Sequence, residues 1–295
     1  MSAATVEEIG RRLAGGGTLT DADANSLLAE NDLVALGMLA SAVRRQRAGD
    51  TVTFVRVLEL DVSANMPDAF PPGTGEVRLT GRPASVDAAI AKAAAAVDRA
   101  GTVPVTAWSL GDLAALAGDA AGFVTAVHGL REAGVYGLAE TWLDEVDPLL
   151  VHRALEAGLA LSVVGFRRRP SDPVAGLRRV RDIQDATGRL RAVAPLPREA
   201  PVDAPSTGYD DVKLVALARV LVDNVTHVQV DWRLHGPKLA QVALLYGAND
   251  FDRVEAGDEA PLGPRRAPLE EVRRNIQAAS LVPVARNGRF ERTGG

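Results

Sequence analysis

The spacing of hydrophobic residues changes near residue 50. Before that point, apolar residues recur every three or four positions, a spacing typical of amphipathic helices. After it, short runs rich in β-branched residues alternate with helical stretches. The strand-like runs are 52–60, 76–81, 103–108, 134–140, 159–166, 190–196 and 225–232. The helical stretches are 85–99, 119–133, 147–157, 172–187, 210–222 and 236–246.

This alternation predicts a parallel sheet covered by helices, because parallel neighbours need crossover connections. Seven such units favour an α/β fold of the (β/α) TIM-like barrel type over a doubly wound sheet. We expect a single domain, with a helical N-terminal extension over 1–48, the barrel over 49–250 and a closing segment over 251–295.

The first two strand-like runs have no helical pattern between them. The intervening "DVSANMPDAFPPGTG" (61–75) is rich in proline and glycine, which mark loops. We therefore expect a barrel that is incomplete or lacks its first helix.

Composition limits the classes of partner. The 295 residues are 47% hydrophobic and carry a net charge of −5, so no basic field favours nucleic acid or an anionic membrane. No apolar run reaches the roughly 20 residues of a membrane span, and the N-terminus lacks the apolar stretch of a secretion signal. A cytoplasmic protein with no membrane or nucleic-acid partner is the expectation.

The chain has no cysteine. This excludes disulfides, thiolate nucleophiles and cysteine-ligated zinc or iron–sulfur centres in this sequence. The four histidines share no ligand spacing, so no metal site is predicted. The GxSxG, GxxxxGK, GxGxxG-after-strand and HExxH motifs are absent as well.

Three blocks carry a family resemblance: "DATGRLRAVAPLP" (185–197), "STGYDDVKLVALARVLVDNVTHVQVDW" (206–232) and "GPKLAQVALLYGAND" (236–250). Together they resemble the radical S-adenosylmethionine enzymes of the futalosine route to menaquinone, aminofutalosine synthase and cyclic dehypoxanthine futalosine synthase. The resemblance extends over roughly 19–286.

That family holds a four-iron cluster with three cysteines, spaced CxxxCxxC, in the loop after its first strand. The corresponding place here begins at Asp61, Ser63 and Asn65, without thiols. The resemblance therefore implies a degenerate member that has no iron–sulfur cluster and performs no radical chemistry. It would keep only part of the family's binding contacts to S-adenosylmethionine. No cofactor is predicted.

Candidate site residues lie where barrel strands end, since TIM-barrel sites occupy that face. Arg78 and Trp108 are predicted to bind ligand. Glu140 matches an Ala-Glu ending of the family's fourth strand and is a candidate catalytic residue, with an outer-loop acid as the alternative. Arg167, from "FRRRP" (166–170), can bind a carboxylate, or belong to a solvated charged face.

The remaining candidates come from the C-terminal half. Gln229 and Trp232 close the seventh strand and are predicted to bind ligand, with packing as the alternative for Trp232. "GAND" (247–250) contributes Asn249 as a ligand-binding residue and Asp250 as a catalytic candidate, or else a turn.

Three functions remain open. The first is a cluster-less barrel that binds a small metabolite, a nucleoside or carboxylated aromatic of the futalosine type. The second is an accessory pseudoenzyme that pairs with an active radical relative through an apolar patch near 61–75. A homo-oligomer is the alternative assembly. The third is an enzyme of another class, a non-radical lyase, hydrolase or transferase, re-evolved on the barrel.

Overall fold

The computed structural model describes residues 5–199, 207–259 and 267–294. Its helices are α1 (Val6–Ala14), α2 (Asp21–Ala29), α3 (Leu33–Ala48), α4 (Val86–Ala100), α5 (Leu110–Ala117), α6 (Ala120–Glu132), α7 (Pro148–Glu156), α8 (Pro173–Thr187), α9 (Gly208–Leu221), α10 (Trp232–Leu245) and α11 (Pro268–Ala278). Its strands are β1 (Thr51–Asp61), β2 (Glu76–Thr80), β3 (Val105–Ser109), β4 (Gly137–Trp142), β5 (Ala160–Leu161), β6 (Val164–Gly165), β7 (Ala192–Ala194), β8 (His227–Asp231), β9 (Asp250–Glu255) and β10 (Val282–Arg286).

The strands form a closed parallel barrel. Each strand from β1 to β9 pairs with the next in the order β1-β2-β3-β4-β6-β7-β8-β9, and β9 pairs with β1 to close the ring. β5 and β6 both pair with β4 and together make one irregular wall, which gives eight walls. The predicted TIM-like barrel is confirmed. Of the two expected departures, an incomplete barrel or a missing first helix, the structure shows the second, and the ring of strands is closed.

A short strand near the C-terminus extends the wall beside β1. The first half of β1 pairs with β10 and the second half with β2, so β10 and β2 lie end to end along one edge. Gly75 lies at their junction. Its amide donates to the Arg56 carbonyl at 2.8 Å, and its carbonyl accepts from the Gly288 amide at 2.9 Å. The end of β10 thus supports the start of β2.

The expected absence of a helix between β1 and β2 is confirmed for residues 62–75, which the structure describes throughout. This β1–β2 loop folds back against the barrel, and its apolar residues Val62, Met66 and Phe70 are partly buried against the core. Part of the apolar surface that a barrel helix would cover is therefore covered by the loop.

Helix α4 holds this loop through two hydrogen bonds. Lys92 Nζ donates to the Ala64 carbonyl at 2.6 Å, and Arg99 Nη1 donates to the Asp68 carbonyl at 2.5 Å. Both carbonyls lie outside regular strands. The two cationic side chains therefore supply these backbone acceptors with hydrogen bonds that regular secondary structure does not provide.

The N-terminal extension is helical, as predicted. Thr5 and Thr20 each begin a helix with a reciprocal capping box. Helices α2 and α3 pack against α9, and α1 packs against α3, so the extension covers the outer side of the barrel near β8. Within the described residues, no helix is long and apolar enough to span a membrane.

Three elements differ from the sequence-based prediction. The strand predicted over 159–166 is interrupted between β5 and β6, and the short helix α5 follows β3 where none was predicted. The largest difference is β9, the eighth wall of the barrel, which the sequence pattern did not indicate. Its inward positions are occupied by Asp250 and Asp252, so it lacks the apolar run of a buried strand.

Candidate functional site

The interior of the barrel is filled by polar side chains. The outward-facing strand residues pack under the helices, whereas a buried polar set lines the inside. Its members are Thr53, Glu76, Arg78, Thr106, Gln229, Asp250, Asp252 and Arg286. Buried charges need partners, and here they form two separate clusters.

The first cluster lies at the N-terminal end of the strands and centres on Asp250. Arg286 donates two hydrogen bonds to this carboxylate, from Nε to Oδ1 at 2.6 Å and from Nη2 to Oδ2 at 2.7 Å. Gln229 Nε2 donates to it at 2.6 Å and the Thr53 hydroxyl at 2.5 Å. Burial alone would raise the pKa of Asp250, but Arg286 and these hydrogen bonds outweigh burial and hold it below its ordinary value. Asp250 is therefore an ionised carboxylate with its oxygens occupied.

The second cluster lies one layer higher. Arg78 donates to both oxygens of Asp252, with Nη1 and Nη2 at 2.8 and 2.9 Å. Its Nε donates to Glu76 Oε1 at 2.9 Å, and the Thr106 hydroxyl donates to the same oxygen at 2.6 Å. Burial opposes ionisation of both partners. Even so, the Asp252 carboxylate raises the pKa of Arg78, and Arg78 holds the pKa of Asp252 far below its ordinary value.

A third layer of charge closes the C-terminal end of the barrel. Its members, the mouth network, are Glu59, Glu140, Asp231, Arg198 and Arg253. Arg253 Nη2 lies 3.1 Å from Glu140 Oε1, its Nη1 lies 3.3 Å from Asp231 Oδ2, and its Nε lies 2.9 Å from Glu59 Oε1. Arg198 Nη2 lies 2.8 Å from Glu140 Oε1, and Arg198 also contacts Asp231.

A β-bulge directs Arg253 into this network. On β1 the paired positions Phe54 and Arg56 are two residues apart, but their partners Phe251 and Val254 on β9 are three apart. The extra residue on β9 breaks the alternation of side chains, and Arg253 takes the left-handed backbone conformation with φ 56°. Such a conformation costs a non-glycine residue about 1 to 3 kcal/mol and is concentrated at functional sites.

A cleft of about 380 Å³ opens beside the network. Glu59 and Arg253 form part of its wall, with Arg233 and Glu255 at its rim. Arg233 Nη1 donates to Glu59 Oε2 at 2.9 Å, so Glu59 is held by an arginine on each side. The cleft thus offers guanidinium donors and carboxylate acceptors to a polar ligand.

The structure does not bring Glu140, Arg78, Trp108 and Asp250 into one pocket. Glu140 belongs to the mouth network, as its position at a strand end predicts. Arg78 and Asp250 are enclosed in the two interior clusters, and Gln229 accompanies Asp250. Asp250 begins β9, so it lies at the end of the barrel opposite the mouth. Trp108 lines a separate cleft beside α5.

Asn249 is held by the protein's own groups. Its Oδ1 accepts from Arg219 Nη2 at 2.5 Å and from the Val228 amide at 2.9 Å, and its Nδ2 donates to the Thr226 carbonyl at 3.2 Å. Arg219 is itself buried, and burial lowers its pKa to about 9. Asn249 therefore fixes the approach to β9 and supplies an acceptor to a buried cation.

The two remaining predicted ligand-binding residues lie outside the mouth network. Arg167 Nε lies 3.3 Å from Glu145 Oε2, and its backbone amide donates to Asp144 Oδ1 at 2.8 Å. Trp232 is buried and its ring packs against Phe251, with 5.3 Å between ring centroids. Arg167 is thus engaged by two acidic residues of the protein, and Trp232 by an aromatic neighbour.

The sequence-based prediction missed Arg198 and Arg253. Arg198 follows β7 in "PLPRE", where a strand-end rule would have included it. Arg253 lies within a strand that the pattern did not indicate, so no sequence signal marked it.

The donor groups do not fit a cysteine-ligated iron–sulfur cluster. The β1–β2 loop, where the resembling family carries its cysteines, has neither cysteine nor histidine. Asp61, at its start, accepts from the Ser63 amide at 2.8 Å and hydroxyl at 2.6 Å. In the part of the chain that the structure describes, no three histidine, cysteine or acidic side chains group together as metal ligands.

Comparison with known proteins agrees with the sequence resemblance. Residues 194–293 match the family described as the CofH/MqnC C-terminal region. The cyclic dehypoxanthine futalosine synthase of Streptomyces coelicolor is 28% identical over 174 residues, which are 56% of this chain and 42% of that protein. The aminodeoxyfutalosine synthase of the same organism is 34% identical over 166 residues, 48% of this chain and 43% of that protein. The aligned region thus spans less than half the length of these relatives.

Solved structures confirm the fold. A methylornithine synthase superposes with a TM-score of 0.67 at 16% identity, over 93% of this chain and 97% of that one. A FeFe-hydrogenase maturase from Carboxydothermus hydrogenoformans gives a TM-score of 0.63 at 13% identity, over 95% and 79%. Over part of its length this cysteine-free chain is therefore similar to the CofH/MqnC C-terminal region and to futalosine-type synthases.

Proposed function

We propose that this protein binds a small polar metabolite at the mouth of the barrel and performs no radical chemistry. One observation carries the proposal: a bulge in β9 holds Arg253 in a left-handed conformation so that its guanidinium lies among Glu59, Glu140 and Asp231. Backbone strain of this kind is concentrated at functional sites, which supports a role in recognition.

The mouth supplies groups suited to a nucleoside or a carboxylated aromatic. Glu59 and Glu140 can accept hydrogen bonds from ribose hydroxyls, and Arg233 and Arg253 can pair with a carboxylate. The names of the relatives, dehypoxanthine futalosine synthase and aminodeoxyfutalosine synthase, point to ligands of this type. A futalosine-like nucleoside is the ligand we favour.

The absence of radical chemistry rests on the donor set. Reductive cleavage of S-adenosylmethionine needs an electron donor of very low potential, which is cofactor chemistry that side chains do not supply. The β1–β2 loop offers no thiol to hold a cluster. Each mouth carboxylate also contacts an arginine, so its oxygens are engaged in ion pairs and are not free to act as a general acid or base.

The accessory-pseudoenzyme alternative receives less support. It predicts a flat apolar patch near 61–75, but the apolar side chains of the β1–β2 loop turn toward the core. The exposed large apolar side chains of the described segments belong to other elements: Val34, Met38, Leu149, Tyr209, Leu234, Val242, Leu245 and Val282.

Calorimetric titration tests the proposal. Wild-type protein is titrated with futalosine, aminodeoxyfutalosine, the enolpyruvyl benzoate of the same route and S-adenosylmethionine. We expect one of the first three to bind at a single site with a Kd on the order of micromolar. Arg253→Gly should weaken that binding at least about tenfold, because it removes guanidinium donors from the cleft.

The matched control is Arg45→Gln, which removes an exposed arginine of α3 remote from the cleft and should leave the affinity unchanged. Failure of all four compounds to bind folded protein, or equal binding by wild type and Arg253→Gly, would contradict the proposal.

A further inference from the structure

A second cleft lies between the segment that follows β2 and helix α5. Its volume is about 400 Å³, and it shares no lining residue with the mouth cleft. Pro83, Trp108, Leu113 and Leu116 give it an apolar wall. A flat apolar molecule can contact such a surface without disturbing the mouth network.

Trp108 enters this cleft through an unusual backbone conformation. Thr106, two residues earlier on β3, points inward to Glu76, so strand alternation would also point Trp108 inward. Instead Trp108 has φ 45°, and its ring lines the cleft beside α5. Trp108 is only 4% exposed, and its Nε1 is buried without a hydrogen-bond partner. An unpaired buried N–H is costly unless a ligand supplies an acceptor.

An arginine side chain, that of Arg82, lies at the rim of the same cleft. Arg82 lines it, is exposed, and makes no ion pair or side-chain hydrogen bond with the residues that the structure describes. The rim carboxylate, Asp112, accepts from the Ser109 hydroxyl at 2.6 Å and belongs to the N-terminal turn of α5. The cleft thus combines an apolar wall, one buried donor and one unpaired guanidinium.

We propose that this cleft binds a small aromatic carboxylate. The ring of the ligand lies against Trp108 and Leu113, and its carboxylate accepts from Trp108 Nε1–H and from Arg82. A neutral ligand would leave Arg82 unpaired, and a purely apolar ligand would leave the indole N–H unsatisfied. The site is independent of the mouth, so it stands whether or not a futalosine-like nucleoside binds there.

Nuclear magnetic resonance of the three tryptophan indole N–H groups tests this inference. The probe is benzoate, with benzamide as its neutral counterpart, and Trp108→Phe assigns the Trp108 signal. We expect benzoate to move the Trp108 indole signal saturably, while those of Trp142 and Trp232 stay in place. The shift should persist in Arg253→Gly, which alters only the mouth.

Arg82→Gln is the decisive variant, because Arg82 is exposed and its replacement leaves the fold intact. It should weaken benzoate about tenfold, as expected for a lost charge-assisted hydrogen bond, and leave benzamide unchanged. Arg11→Gln, which replaces an exposed arginine of α1 outside the cleft, is the matched control. An immobile Trp108 signal, a movement of another indole instead, or equal benzoate affinity in Arg82→Gln would overturn the proposal.

Discussion

Arg253 and Glu140 meet across the mouth of the barrel, with 3.1 Å between Nη2 and Oε1. Their strands, β9 and β4, are separated by β1, β2 and β3 on one side of the ring, so the contact joins opposite walls. The bulge in β9 takes Arg253 out of the strand alternation, and its long side chain reaches Glu140. The mouth is therefore spanned by the protein's own ion pairs.

The strain at Arg253 predicts an ordered pair of variants. Arg253→Gly and Arg253→Ala both remove the ion pairs, but only glycine relieves the left-handed backbone. We expect the glycine variant to be more stable than the alanine variant by about 1 kcal/mol. Urea denaturation of the two proteins measures the difference. Equal free energies of unfolding would show that the backbone at this position is not strained.

The buried pair of Asp250 and Arg286 predicts a strong, partly reversible loss of stability. Asp250→Ala leaves the Arg286 guanidinium uncompensated in the barrel and should cost about 3 to 5 kcal/mol of unfolding free energy. Adding Arg286→Met should restore at least half of the loss, because the buried charge is then removed. Chemical denaturation of both variants measures the loss and its recovery. A double variant no more stable than the single one would contradict this account.

His227 predicts a dependence of stability on pH. Burial lowers its pKa to about 4 from an ordinary 6.5, and its ring packs against Phe290 at 5.0 Å between centroids. Between these two pH values the unfolded chain binds more protons than the folded one, so the free energy of unfolding falls as pH drops from about 6.5 to 4. The loss attributable to His227 should be about 1 to 3 kcal/mol.

Denaturation at a series of pH values measures this effect. His227→Gln should flatten the profile in that window, whereas His128→Gln, which replaces an exposed histidine of α6, should not. If the free energy of unfolding of wild type and of His227→Gln fell in parallel between pH 6.5 and 4, the effect would not come from His227.

The junction of β2 and β10 predicts a steric effect. A Cβ at Gly75 would lie 2.8 Å from the Arg286 carbonyl oxygen, so Gly75→Ala must push β10 away from β1. We expect a loss of about 1 to 3 kcal/mol in unfolding free energy. Gly208→Ala is the control, because a Cβ there meets nothing within 4 Å and alanine favours the start of α9. Similar effects of both substitutions would contradict the described junction.

The sequence predicted the barrel well where strands are apolar and failed where they are charged. β1, β3 and β8 carry the β-branched runs that identify buried strands. β9, "DFDRVE", alternates acidic inward positions with apolar outward ones, a pattern typical of an exposed strand or loop. Its acids are buried because Arg78 and Arg286 neutralise them, and such pairing is invisible in local sequence.

The candidate site was predictable only in part for the same reason. Glu140 followed from its place at a strand end, but Arg78 and its partner Asp252 are 174 residues apart. Trp108 was correctly placed at a strand end, yet its positive φ turns the ring toward a cleft that the strand period does not indicate. Long-range ion pairs and local backbone strain, the two features that shape this protein, leave no periodic signal.

A crystal structure of the protein grown with aminodeoxyfutalosine decides whether the mouth cleft is a nucleoside site. We expect the nucleoside in the mouth cleft, with hydrogen bonds to Glu59 and Arg253. A fully formed mouth network with no ligand at saturating nucleoside, or the nucleoside bound elsewhere on the barrel, would contradict it.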